Sequence, residues 1–309
     1  MTEVKKARVL FVDDETRILT TMKMLFRSQY EVLTADSGQA ALELLKTQPV
    51  DVIVSDQRMP GMTGIELLRA ARELNTHAMR ILLTGYSDLN AIIGSINEGE
   101  IFRFINKPWI NDDLTTTVAR AVTAARVSAA APASDAATPV VGTPPAVLVL
   151  DDDASVPAKI QSILGNDFRV VGATSMDEAV GLLERERIGV VVSDTRVQDH
   201  PVINLISTLK QHHPELVSVI LTERADAGTA IDLINQGQVY RFITKPIHDS
   251  QCKITVSSAL RQHHRLAQAP ELHQRYEVAA AAEAPPPTSQ TGKLMDRIRG
   301  LRSVVKRWV

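Results

Sequence analysis

Short apolar runs alternate along this chain with segments whose apolar residues recur at helical spacing. In the first third the runs are 9–12, 52–55, 81–83 and 101–105, each rich in Val, Ile, Leu or Phe. Between them lie Ile18, Met22, Leu25 and Phe26, then Ala41, Leu42, Leu44 and Leu45, then Ile65, Leu68 and Ala71, spaced to line one side of a helix. Strands that alternate with helices predict a parallel sheet, and continuously apolar strands suit one because helices cover both faces. The expected fold class is α/β, an open, doubly wound sheet of about five strands.

The second third repeats the first. Asp13 maps to Asp151, Asp56 to Asp194, Thr84 to Thr222 and Lys107 to Lys245, every pair 138 positions apart. The flanking words agree as well: VIVSDQR with VVVSDTR, ILLTG with VILTE, and IFRFINKP with VYRFITKP. An offset that never drifts leaves no net insertion between these points, so the two copies share one fold. The chain divides into a first domain at 1–126, an Ala/Pro-rich linker at 127–145, a second domain at 146–266, a further linker at 267–292 and a tail at 293–309. In the tail, Leu294, Ile298, Leu301, Val305 and Trp308 fall on one helical face amid six basic residues and one acidic one. A basic amphipathic helix of that kind suits an anionic membrane or a partner's groove, or packs on its own domain.

Composition narrows the setting. A chain of 309 residues with 44% hydrophobic content can bury two ordinary cores. A formal charge of −2 gives no general reason to expect nucleic-acid binding. Cys252 is the single cysteine, which excludes an intramolecular disulfide and fits a reducing compartment. The first ten residues do not read as a signal peptide, and no apolar run is long enough to span a bilayer. The expectation is a cytoplasmic protein, with the inner membrane surface open to it through the tail.

In an open α/β sheet, functional groups collect at the carboxyl ends of the strands. Asp13 and Asp14 end the first strand of the repeat, Asp56 the third and Thr84 the fourth, while Lys107 follows the fifth. Crowded carboxylates are unfavourable unless a cation compensates them, and an all-oxygen set suits Mg²⁺. The ensemble resembles the receiver domain of two-component response regulators, over about 8–126 and 146–265. That resemblance implies two flavodoxin-like domains and a phosphoacceptor at Asp56, with Asp194 as its counterpart. It implies Mg²⁺ held by Asp13, Asp14, Asp56 and the carbonyl of Arg58, and in the second copy by Asp151, Asp152, Asp194 and the carbonyl of Arg196. Thr84 and Lys107, or Thr222 and Lys245, would hold the phosphoryl oxygens. Phe104 and Phe242 match the aromatic switch position, whose ring follows the threonine inward when the acceptor is phosphorylated. The implied partners are a histidine kinase or phosphotransfer protein and a downstream protein, with a homodimer through receiver surfaces also open.

The copies differ around the acceptor. After Asp56 the chain reads Met59-Pro60-Gly61-Met62-Thr63-Gly64, whereas after Asp194 it reads Val197-Gln198-Asp199-His200-Pro201-Val202. Gly85 follows the first threonine but Glu223 follows the second, where a carboxylate repels an incoming phosphoryl donor. Asp194 is therefore expected to sit in a less accommodating pocket, retained for slower chemistry or for contacts. The rival enzyme, an aspartate-nucleophile phosphatase, would need an acid two residues after the nucleophile. Arg58 and Arg196 stand there instead, so the chain is expected not to be an enzyme acting on a separate substrate. A scaffold with neither aspartate phosphorylated is the remaining alternative. The doublets His212-His213 and His263-His264 read as solvated helix ends, and His248-Asp249 as a helix cap.

Overall fold

Residues 6–75, 77–85, 101–130, 144–223, 227–235 and 239–269 are described by the computed structural model of the chain. The tail at 293–309 and most of both linkers lie outside the described residues, and so does the segment 86–100.

In the first domain the runs become β1 (Arg8–Val12), β2 (Glu31–Ala35), β3 (Val52–Asp56), β4 (Met79–Thr84) and β5 (Arg103–Asn106). All pairs are parallel, in the order β2-β1-β3-β4-β5. Helices α1 (Thr16–Phe26), α2 (Gly38–Thr47), α3 (Gly64–Leu74) and α4 (Asn111–Ala130) supply the crossovers and the final cover. One face of the sheet buries Val9, Phe11, Val52, Val54, Ile81 and Leu83 against Leu19, Met22 and Phe26 of α1 and Leu114, Val118 and Ala121 of α4. Phe11 and Phe26 stack with ring centroids 5.0 Å apart. Helices α2 and α3 lie against the sheet and each other, burying Ala41, Leu45, Leu68 and Ala71.

The second domain repeats this plan. Its sheet is β6 (Ala146–Leu150), β7 (Val170–Ala173), β8 (Ile188–Asp194), β11 (Val217–Thr222) and β12 (Arg241–Thr244), ordered β12-β11-β8-β6-β7, the same topology. Its helices are α5 (Ser155–Leu164), α6 (Met176–Arg185), α7 (Ile203–His212), α8 (Ala227–Asn235) and α9 (Asp249–Gln268). Among the described residues the first domain has no strand between β3 and α3. Between β8 and α7, β9 (Arg196–Val197) and β10 (His200–Pro201) form a small antiparallel hairpin.

Several expectations need correction. Helix α4 runs through Ala130, four residues into the stretch read as linker, and α9 runs two residues past 266. Alanine is the best helix former, so composition alone does not end a helix there. Strand β4 starts at Met79 because Arg80, fully buried, extends it while breaking the apolar run. The histidine doublets are not both solvated. His213 and His263 are buried while their neighbours are partly exposed: His263 and His264 are adjacent positions of α9 that point in different directions, and His213 is the non-helical C-cap of α7. Both meet Glu215: His213 Nδ1 lies 3.6 Å from its carboxylate, and His263 Nδ1 lies 2.9 Å from its backbone carbonyl. His248 occupies the N-cap position of α9, but its side chain makes no capping hydrogen bond.

Candidate functional site

The strand order reverses between β1 and β3, and the two carboxylates at their ends face each other there. Lys107 sits between them, its Nζ 3.2 Å from Asp13 Oδ2 and 2.7 Å from Asp56 Oδ1. The remaining oxygens are held by backbone amides: Glu15 N–H donates to Asp13 Oδ1 at 2.9 Å and Arg58 N–H to Asp56 Oδ2 at 3.1 Å. Asp13 and Asp56 are buried, while Asp14 is exposed beside them. Thr84, fully buried at the end of β4, donates its hydroxyl to the Gly85 carbonyl at 3.3 Å. Parallel pairing therefore gathers all five predicted polar residues at one edge. Phe104 is buried on β5 and Phe242 on β12, so in this structure both rings are already inside rather than waiting to move inward.

Burial pushes the Asp13 carboxyl above its ordinary range, opposed by the Glu15 amide and the Lys107 charge. Burial also pulls the Lys107 ammonium down, but its hydrogen bond to Asp56 and the charges of Asp56 and Asp13 outweigh that and hold it above the usual lysine value. The site thus keeps a fixed positive charge against buried carboxylates at neutral pH. Trp109 lies beside it, with the ammonium 5.9 Å from the ring.

Residues not singled out from the sequence position the acceptor. The Ser55 hydroxyl donates to the Asp56 carbonyl at 2.8 Å, and Ser193 does the same for Asp194 at 2.9 Å. The repeat of Ser-Asp at the 138 offset was the available signal. Gln57, buried, accepts from Ile65 N–H at 3.2 Å through its side chain, tying the acceptor strand to α3. Gly64 opens that helix so close to Asp56 that a Cβ would lie 2.1 Å from its carbonyl oxygen. Thr63 and Glu66 close the helix start with a reciprocal capping box.

Among the described residues no three carboxylate, imidazole or thiol groups close on one point as a ready-made metal site. In the first domain the donor set nonetheless fits a hard divalent cation. Asp13 and Asp56 already share one cation, the Lys107 ammonium. Asp14 is an exposed carboxylate able to turn toward them, and all the donors are oxygens. In the second domain Lys245 makes the same double contact, 2.7 Å to Asp151 and 2.6 Å to Asp194, and is likewise held above the usual lysine value despite burial. Thr222 is buried and Glu223 exposed. The carboxylate of Asp152, however, already accepts a backbone amide, Gln198 N–H, at 3.1 Å.

Comparison with known proteins agrees with this arrangement. The profile of a family described as the response regulator receiver domain matches residues 9–119 and 147–257, two spans that keep the 138 offset. The hydrogenase transcriptional regulatory protein HoxA of Cupriavidus necator is 46% identical over 120 residues, covering 39% of this chain and 25% of that protein. The regulatory protein AtoC of Escherichia coli is 34% identical over 116 residues, covering 37% of this chain and 25% of that one. The chain therefore spans about a quarter of the length of these curated relatives. Among solved structures, a response regulator receiver domain protein from Clostridium thermocellum is 32% identical, with a TM-score of 0.37, covering 39% of this chain and 98% of that one.

Proposed function

The chain belongs to the response regulator receiver family as a tandem-receiver protein, and from that premise we propose that it takes a phosphoryl group on Asp56 and signals by binding a downstream protein. The donor is a histidine kinase or phosphotransfer protein. The observation that carries this reading is the Lys107 ammonium held between Asp13 and Asp56. Mg²⁺ would be held by Asp13, Asp14, Asp56 and the carbonyl of Arg58, where it supplies positive charge to the transferring oxygens.

The chain's own groups do the rest. An Asp56 carboxylate oxygen attacks phosphorus as the bond to the donor's imidazole nitrogen breaks, and the electron pair leaves with the imidazole. The Arg58 amide orients the second carboxylate oxygen, so the attacking one faces the edge of the sheet. Lys107 shifts from the carboxylates to the phosphoryl oxygens, and the Thr84 hydroxyl turns from Gly85 to the same group. Positive charge and a hydroxyl donor aimed at these oxygens stabilise the charge that develops on them during transfer. Movement of Thr84 alters the packing beside Phe104, and a local charge then biases two packings of the domain surface.

The protein catalyses its own phosphorylation and turns over no separate substrate. The curated relatives are named as transcriptional regulators, yet the likeness is confined to about a quarter of each, so the output proposed here is protein binding alone. No helix among the described residues is long and apolar enough to cross a membrane. The test is acid-labile phosphate incorporation from acetyl phosphate and Mg²⁺. Incorporation by the wild type and its loss in Asp56→Asn support the reading; undiminished labelling in the variant refutes it.

A further inference from the structure

At the acidic edge of the second domain, Asp152 and Asp194 both accept hydrogen bonds from the loop that follows β8. Beyond Asp194 the chain turns back at once through the hairpin of β9 and β10, and the turn residues Gln198 and Asp199 have φ of 48° and 61°. Two consecutive left-handed residues are what a two-residue hairpin turn of this twist demands. The Arg196 guanidinium donates to the Asp199 carbonyl and pins the turn. So held, the Gln198 amide points at Asp152 and donates to its Oδ2. The acceptor-side carboxylate is also satisfied: Thr195 donates to Asp194 Oδ1 through its amide at 2.5 Å and its hydroxyl at 3.1 Å, while Lys245 takes Oδ2.

The first domain cannot make this arrangement, for two chemical reasons. The position matching Gln198 is Pro60, which has no amide hydrogen to give. The position matching Val202 is Gly64. There the chain passes so near the acceptor's carbonyl that any Cβ would collide with it. Valine at 202 forbids that approach. Accordingly α7 begins one residue later, at Ile203, with Val202 as an N-cap lacking a side-chain bond. The anchor is kept nevertheless, since Val202 N–H donates to Thr195 O at 3.1 Å just as Gly64 N–H donates to Gln57 O at 3.0 Å. With both ends of the loop fixed and the helix start displaced, the residues between them fold as the hairpin.

We propose that this hairpin caps the acidic edge of the second receiver, so that the domain takes up no divalent cation and Asp194 receives no phosphoryl group. A cation would have to displace the Gln198 amide from Asp152 and the Thr195 hydroxyl from Asp194, two donors with no counterpart among the described residues of the first domain. The protein is then a one-metal, one-phosphoryl chain, whose second receiver presents one fixed state beside a switching first one. The inference rests on the receiver reading of the first domain, and the variants below separate the two.

Mn²⁺ bound per full-length chain, counted by electron paramagnetic resonance, tests it. One Mn²⁺ per chain is expected, lost in Asp14→Asn and kept in Asp152→Asn. Two per chain, with one lost in Asp152→Asn, overturn the proposal. The double variant Gln198→Pro, Val202→Gly removes the donated amide and reopens the close approach, and is expected to gain a second Mn²⁺. Burial of Cys252 shows whether that variant is folded. If its thiol stays protected from reagent and only one Mn²⁺ is bound, the role given to the hairpin is wrong.

Discussion

Gly64→Ala places a methyl group against the backbone of the acceptor itself. The added Cβ would stand 2.1 Å from the Asp56 carbonyl oxygen and 2.7 Å from Leu82 Cδ1. The leucine end can rotate aside, but the carbonyl belongs to a buried interior strand and is further held by Ser55. Ordinary contact requires about 3.5 Å, so the start of α3 must retreat by more than about 1 Å. Overpacking of that kind costs about 1–3 kcal/mol, and disturbing the capping box at Thr63 adds about 1 kcal/mol. Against this, alanine gains up to about 1 kcal/mol over glycine in a helix. The balance is a loss of about 1–3 kcal/mol, which for a domain of this size lowers the melting temperature by roughly 5–10 °C. Trp109 sits at the site and reports the first domain, measured in a Trp308→Phe background so that no other tryptophan contributes. The accompanying readout is slower phosphate incorporation, because the Asp56 backbone has moved. A melting midpoint within a degree or two of the parent would show that the close approach is easily relaxed and that glycine is not required.

Other outcomes follow from the same structure. Lys210 is fully buried, which pulls its ammonium down to about 8 against the favourable charge of Glu215. The unfolded chain therefore binds more protons between pH 8 and the ordinary lysine value, and the burial penalty is in full force at pH 7. Lys210→Met should stabilise the second domain at pH 7 by up to about 3 kcal/mol, less whatever bonds the ammonium makes. The gain should fade as pH rises toward 10, read by thiol exposure of Cys252 in urea. His263 is buried and held below its ordinary imidazole value. The folded state thus resists a proton that the unfolded state accepts, and second-domain stability should fall as pH drops below about 6.5. His263→Gln should flatten that slope, and an unchanged slope would assign it to other groups. Thr63→Ala, which removes one half of the capping box, should cost the first domain about 1 kcal/mol in urea denaturation.

The sheet order and the gathering of Asp13, Asp56, Thr84 and Lys107 were legible because two signals coincided: apolar runs that alternate with helical spacing, and a repeat that keeps its polar positions in register. The β2 strand was not legible as an apolar run, since Glu31–Ala35 lies at the sheet edge and is mostly half-buried. Nor was Arg80 inside β4, because a lone charge reads as a break unless its burial is known. The difference between the acceptor loops could be seen in the lost glycines. Its consequence could not, since a backbone amide reaching Asp152 depends on dihedral angles that residue types only permit. The burial of one histidine from each doublet around Glu215 likewise depends on which side of α7 and α9 meets the sheet.

A receiver that switches and one that does not are told apart by where phosphate is incorporated. Borohydride reduction of the acetyl phosphate-treated full-length chain converts an aspartyl phosphate to homoserine, which peptide mass mapping then locates. Homoserine is expected at Asp56 alone. Homoserine at Asp194, or at neither position, would contradict a single switching receiver.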